Sequence, residues 1–268
     1  MLNARGIVGT HDVLLVTLDA LRYDVAAEAL DAGLTPNLKA LLPGGRWELR
    51  HTPGNFTYPA HQAFFTGFLP TPSIAGPYER LFAVKFDGSV TTGDSTFVFD
   101  TPDIISGFAL HGYRTVCIGG VGFFNKLNPL GNALPAFFSE SYWDRSLGVA
   151  DRNSTANQVR LATEIINKTE SGKRLFLFLN VSALHQPNCI FTEGATEDSK
   201  ETQAQALSYV DKQLPELLDT MRRRAPLLVL IFSDHGTAYG EDGFFGHRVS
   251  HECVWNVPYS EFVLPQSK

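Results

Sequence analysis

Three short segments of the 268-residue chain carry side chains able to do chemistry, and two of them begin where a hydrophobic run ends. Leu227-Leu228-Val229-Leu230-Ile231-Phe232 leads straight into Ser233-Asp234-His235-Gly236, and Asp12-Val13-Leu14-Leu15-Val16-Thr17-Leu18 leads into Asp19. Such runs read as strands buried on both faces, as in parallel sheets. In α/β proteins ligands bind where those strands leave the core at their carboxyl ends. Two carboxylates and an imidazole delivered to one sheet edge are the donors of a divalent-metal site. The third segment is Asn55-Phe56-Thr57-Tyr58-Pro59-Ala60-His61, in which a hydroxyl stands two residues before a proline that opens a helix. Free N–H groups and the helix dipole favour an anion at that position. A threonine before a helix is commonly only a cap. In the company of Asp19, Asp234 and His235, a chemical role for Thr57 is the better reading.

The elements that must position these residues follow from hydrophobic periodicity. Strands are expected over 12–18, 47–52, 113–119, 175–181 and 227–232. Helices are expected over 20–32, 35–42, 59–66, 102–111, 153–169 and 197–224, the last interrupted at Pro215. Alternating strands and helices predict an α/β fold with a mostly parallel sheet covered by helices. The stretch from Gly67 to Thr101 is rich in Gly, Pro, Ser and Thr and is expected to form surface loops and short strands near a substrate pocket. No repeat or linker divides the chain, so residues 1–268 read as one domain.

At 44% hydrophobic residues the chain can bury a full core. Its net charge of −6, without a basic stripe, argues against a nucleic-acid-binding face. Arg222-Arg223-Arg224 closes a predicted helix, where cations suit the dipole. Cys117, Cys189 and Cys253 are widely spaced and odd in number, which fits reduced thiols in a cytoplasmic protein. Met1 to Gly6 shows no signal-peptide pattern, and no apolar stretch approaches the roughly 20 residues that span a bilayer. A soluble protein with no membrane segment is expected, and no pattern fixes its oligomeric state.

Taken in order, Asp19, Thr57-Tyr58-Pro59 and Ser233-Asp234-His235-Gly236 resemble the alkaline phosphatase/sulfatase-like superfamily. The tail Tyr239-Gly240-Glu241-Asp242-Gly243-Phe244-Phe245-Gly246-His247-Arg248, leading to Val257-Pro258-Tyr259, resembles the segment that follows the metal-binding Asp-His in sulfatase-like hydrolases. The resemblance implies a three-layer α/β/α sandwich and a metal-activated nucleophile that attacks a phosphate or sulfate ester, forming a covalent intermediate. Asp19, Asp234 and His235 would then bind the ion, with Thr57 both ligand and nucleophile. The implied substrate is a small anionic ester, and a mixed carboxylate–imidazole set suits Zn²⁺ or Mn²⁺.

Departures narrow the expectation. Thr57 replaces the cysteine that sulfatases mature to formylglycine, which favours phosphate over sulfate esters. His61 stands where sulfatases carry arginine, and Ala20 where a second aspartate is common. The segment Asn180-Val181-Ser182-Ala183-Leu184-His185-Gln186-Pro187 lacks the aspartate of two-metal members and resembles the sulfatase-type His-x-Pro element. One ion is therefore expected, with a second only if His185, His247 and His251 converge. His185 and His247 are candidates for protonating the leaving group, and Arg248 for gripping the oxyanion. His61 and His251 are candidate substrate contacts, with a packing role for His61 and a hydrogen-bonded turn for His251 as the plainer readings. Arg22 is expected to orient Asp19 or to pair with Asp24. The expected activity is metal-dependent phosphoester hydrolysis. Its rivals are a phosphotransferase or mutase on the same scaffold, and a non-catalytic metal- or anion-binding descendant.

Overall fold

The computed structural model describes residues 3–67, 82–83, 97–98 and 103–267. Its strands are β1 (Asp12–Leu18), β2 (Glu48–His51), β3 (Phe82–Ala83), β4 (Phe97–Val98), β5 (Arg114–Ile118), β6 (Glu140–Tyr142), β7 (Leu175–Val181), β8 (Leu227–Phe232), β9 (Ala238–Tyr239), β10 (Phe245–Gly246) and β11 (Asn256–Leu264). The helices are α1 (Tyr23–Asp31), α2 (Pro36–Leu41), α3 (Thr57–Thr66), α4 (Ile104–Leu110), α5 (Pro129–Ala133), α6 (Ser154–Lys168), α7 (Lys200–Arg224) and α8 (Glu252–Trp255).

Seven strands form one sheet in the order β2-β11-β8-β1-β7-β5-β6. The five from β8 to β6 are parallel, and β11 is antiparallel to both β8 and β2. Alternation along β1 divides the core between two faces. Leu14, Val16 and Leu18 pack with α1, α2, α6 and α7, whereas Val13 and Leu15 pack with residues of α3, α4 and α5. The result is a three-layer α/β/α sandwich. Because β8, β1 and β7 lie side by side in parallel register, their carboxyl ends deliver Asp234-His235, Asp19 and Ser182 to His185 to one edge.

Several boundaries differ from expectation for local reasons. Ala20 takes φ of +66°, so α1 starts at Tyr23 rather than at residue 20. α7 runs unbroken through Pro215, and the carbonyl four residues earlier, on Asp211, accepts instead from Asn37 Nδ2 at 3.3 Å. The Asp211 carboxylate also accepts from the Asn37 and Leu38 backbone N–H groups, which ties α2 to α7. The proposed loops between Gly67 and Thr101 lie almost wholly outside the described residues. Strand β11 escaped the sequence reading because Pro258 sits inside it, and a proline argues against a strand between two partners.

Candidate metal centre

Asp19, Asp234 and His235 each lose all solvent exposure. One ligand atom from each lies within 4.8 Å of the others, and they form the only such His/Cys/Asp/Glu group among the described residues. Asp19 follows β1. Its Oδ2 accepts from Asn180 Nδ2 at 3.0 Å, while Oδ1 has no hydrogen-bond partner. Asp234 repeats the pattern: Oδ1 accepts from the N–H groups of Ala20 and His235, and Oδ2 has no partner. His235 Nδ1–H donates to the Gly236 carbonyl at 2.8 Å, which leaves Nε2 as a lone pair. Nε2 stands 3.9 Å from Asp19 Oδ1 and 3.6 Å from Asp234 Oδ2.

Two orphaned carboxylate oxygens and a fixed imidazole lone pair facing one point suit a divalent cation. A buried polar atom otherwise needs a hydrogen bond, and these two oxygens have none. The electrostatics agree. Burial, reinforced by the Asp234 charge, pushes the Asp19 carboxyl up to about 6, and burial pushes Asp234 up to about 7. Burial also holds His235 below the ordinary imidazole range, so it stays neutral and able to ligate. A cation here would relieve the strain of two buried carboxylates. Glycine is required at 236, where a Cβ would meet the Cys253 carbonyl oxygen at 2.0 Å.

Thr57 is the first residue of α3, not a residue ahead of it, and the N-cap is Phe56, which offers no side-chain bond. The Thr57 hydroxyl lies 3.3 Å from His235 Nε2, so it belongs to the cluster rather than to the cap. The remaining expected site residues separate into two groups. His247 joins the cluster, with its ring centroid 4.7 Å from that of His235 and 5.4 Å from that of His185. Burial, with the Arg248 guanidinium nearby, lowers His247 to about 3. His185 Nδ1 hydrogen-bonds the Gln186 carbonyl at 2.7 Å, leaving Nε2 available. Arg248 is exposed, adopts φ of +69°, and sets its guanidinium 5.2 Å from the Phe56 ring centroid.

His61 is closed to any substrate, and His251 is tied into a hydrogen-bonded turn. His61 is fully buried, edge-on to Phe64, Phe65, Phe124 and Phe178. Its Nδ1–H donates to the Thr57 carbonyl at 2.7 Å and its Nε2 accepts from Thr17 Oγ1 at 3.2 Å. His251 caps α8, accepting from the Cys253 N–H, with Nε2 3.2 Å from Asp242. The condition for a second ion, convergence of His185, His247 and His251, is therefore not met among the described residues. Arg22 pairs with Asp24 and Glu241 rather than orienting Asp19.

Sequence reasoning missed four contributors. Thr17 and Asn180 are register partners across β1 and β7, and Asn180 Nδ2 bonds both Asp19 and Thr17. Their signal was a polar residue near the carboxyl end of each otherwise apolar strand. Thr52, which donates to the Asp234 carbonyl, and Gln203, buried on α7, carried no comparable signal.

Fold and site together define the class: an alkaline-phosphatase-like α/β/α scaffold with an Asp/His cluster that could hold a divalent cation on the carboxyl edge of its sheet. The Sulfatase family model matches residues 11–259, and the chain belongs to that family. The soluble domain of lipooligosaccharide phosphoethanolamine transferase A from Neisseria meningitidis superposes with a TM-score of 0.65 at 17% identity, covering 95% of this chain and 76% of that one. The lipoteichoic acid synthase LtaP from Listeria monocytogenes gives 0.64 at 14% identity over 94% of this chain, which spans only 65% of LtaP, less than two thirds. The C-terminal periplasmic domain of EcEptC from Escherichia coli, in complex with Zn, gives 0.63 at 12% identity, covering 94% and 72%. No curated protein matches the sequence. Among the described residues no helix is long and apolar enough to cross a membrane.

Proposed function

We propose that this chain is a metal-dependent enzyme that cleaves a small phosphate mono- or diester through a covalent phosphothreonine at Thr57. The single observation that carries the reading is the buried Thr57 hydroxyl 3.3 Å from His235 Nε2, beside the two unpartnered carboxylate oxygens. Asp19, Asp234 and His235 would hold one Zn²⁺ or Mn²⁺ and Thr57 would complete the set. The ion supplies a lowered hydroxyl pKa and neutralises charge on the phosphoryl oxygens.

Thr57 Oγ attacks phosphorus, so an Oγ–P bond forms and the bond to the leaving oxygen breaks. The threonine proton passes to solvent, and protonated His185 gives a proton to the leaving oxygen. Arg248 and the N–H of neutral His247 hold the phosphoryl oxygens. Water then attacks phosphorus, the Oγ–P bond breaks, and Thr57 recovers a proton that the water gives up as phosphate, or the monoester from a diester, leaves. Thr57 in place of a formylglycine precursor supports phosphate over sulfate esters.

A second reading, transfer to an alcohol in place of water, draws support from the structural neighbours, three of which carry names of phosphoethanolamine transfer. Product analysis with an added alcohol acceptor separates the two. The reducing, cytoplasmic location expected from the sequence fits three free cysteines, although three neighbouring structures are described as periplasmic domains. Cell fractionation of the full-length protein decides it.

The decisive test is a panel of chromogenic phosphate and sulfate esters with Zn²⁺- or Mn²⁺-loaded protein. Thr57→Ala should lower turnover by about three orders of magnitude or more while metal stays bound. Mass spectrometry should find the phosphoryl group on Thr57 of the wild type. Loaded protein that turns over no ester in the panel overturns the reading in favour of a binding role.

A further inference from the structure

We propose that Gln203 is a positioning residue for the metal centre, holding Ala20 in its left-handed conformation and tying the Asp19 turn to the His185 loop. This rests on the metal-centre reading above and extends it to a residue on a different layer. Gln203 lies on α7, 183 residues from Ala20 and 19 from Leu184, and is fully buried. Its Nε2 donates to the Ala20 carbonyl at 2.9 Å and to the Leu184 carbonyl at 3.2 Å. Its Oε1 accepts from the Arg22 N–H at 3.3 Å. One amide therefore satisfies three backbone groups from the two segments that carry Asp19 and His185.

The peptide it grips is unusual. Ala20 holds φ of +66°, a conformation that L-residues other than Asn and Asp rarely adopt. That conformation turns the Ala20 N–H onto Asp234 Oδ1 at 3.2 Å. It also turns the chain immediately after Asp19, one residue beyond the end of β1. Strain of this kind persists only where surrounding bonds over-determine it. On the carbonyl side of Ala20 the bond comes from Gln203, while the N–H of the same peptide, on Leu21, donates to the Leu18 carbonyl at 3.2 Å. Without Gln203 the carbonyl loses its partner, and the peptide, tied at its N–H end, is less firmly held. The Ala20 N–H would then swing off Asp234, and Asp19 would lose its fixed direction toward His235. Leu184 is the residue before His185, so the same amide sets the distance between the metal ligands and the proposed proton donor.

The test uses Gln203→Met, which keeps the volume but removes all three hydrogen bonds, and Ala20→Gly, which removes the conformational cost. Zn²⁺ affinity is read by chelator competition, with the metal-free melting temperature read alongside. Gln203→Met should weaken Zn²⁺ binding by about tenfold or more, the scale seen when partners of metal ligands are removed. Ala20→Gly combined with Gln203→Met should recover affinity to within about threefold of Ala20→Gly alone, because glycine adopts the left-handed conformation unaided. A Gln203→Met protein that binds Zn²⁺ as tightly as wild type overturns the proposal. So does a loss that Ala20→Gly does not restore, since that marks a merely structural role. Wild-type protein that binds no Zn²⁺ sinks the metal-centre reading itself, which is a separate and recognisable failure. Should Gln203→Met not fold, Gln203→Glu takes its place, keeping the Arg22 acceptor but removing the donor to Ala20, with the same two criteria.

Discussion

His61 Nδ1 donates to the Thr57 carbonyl at 2.7 Å, so the imidazole braces the first turn of the helix that carries the proposed nucleophile. Its other nitrogen accepts from Thr17, which accepts from Asn180, which in turn donates to Asp19. A continuous buried chain of hydrogen bonds thus joins the nucleophile's backbone to a metal ligand. Burial pushes His61 down to about 3, so it is neutral throughout the working range, with one donor and one acceptor nitrogen, as the chain requires.

That arrangement predicts distinct outcomes for two substitutions at 61. His61→Ala should cost about 3 kcal/mol of stability, because it opens a cavity among four phenylalanines and strands two polar partners. His61→Phe refills the volume and should recover part of the melting temperature. Both should lower kcat more than they raise KM, because the residue has no exposed surface for a substrate to touch. An unchanged kcat in His61→Phe would show that the brace has no bearing on Thr57.

Asn180 offers a test at the other end of the same chain. Replacing it with Asp keeps the shape but removes the donor, and sets a third carboxylate beside Asp19 Oδ2. Zn²⁺ affinity should fall by about tenfold to a hundredfold, as for other partners that orient ligands. Chelator competition measures it. Affinity equal to wild type would mean that Asp19 does not depend on this bond.

How much of this was legible beforehand depends on where each residue's information lies. The runs ending in Asp19 and Asp234 are apolar because both sheet faces are covered, and local periodicity reports that directly. The Thr57 segment was legible because a proline marks the helix start to within two residues. By contrast, β11 could not be read from Asn256 to Leu264, since its place between β8 and β2 is a long-range pairing and Pro258 contradicts the local signal. For His61 a packing role was the plainer reading, which its burial fits, but its partners were hidden. An imidazole within the Thr57-Tyr58-Pro59-Ala60-His61 motif looks alike whether it faces solvent or four phenylalanine rings. Gln203 is one polar residue among many on an amphipathic helix, and only tertiary packing shows which of them turns inward.

Metal binding should depend on pH in a direction set by the two buried carboxyls. Asp19 and Asp234 sit at about 6 and about 7, so at lower pH protons occupy the oxygens that a cation needs. Burial lowers His235, so proton competition at the imidazole is weaker than at an ordinary histidine. Zn²⁺ affinity should accordingly fall as pH drops from about 7 to about 5, by up to roughly tenfold per unit for each carboxyl that takes a proton. Calorimetric titration across this range should also show proton release on binding. Affinity that is flat between those pH values would mean that the carboxylates are not the ligands.

The two histidines at the mouth should differ in how they respond to the leaving group. His247 is lowered to about 3 by burial and by the Arg248 guanidinium, so at neutral pH it can offer a hydrogen bond but not an extra proton. His185 has its Nδ1 fixed on the Gln186 carbonyl, which leaves Nε2 to carry the transferable proton. A leaving group with a low pKa departs without help, whereas an alkoxide must be protonated as its bond breaks. His185→Ala should therefore cost much more with an alkyl phosphodiester than with a nitrophenyl one. His247→Ala should cost both by a similar factor, because a phosphoryl-oxygen contact serves every ester alike. Rates for a series of esters spanning leaving-group pKa give the slope for each variant. A steeper dependence in His247→Ala than in His185→Ala would exchange the two roles, because that dependence appears only when the proton donor is lost.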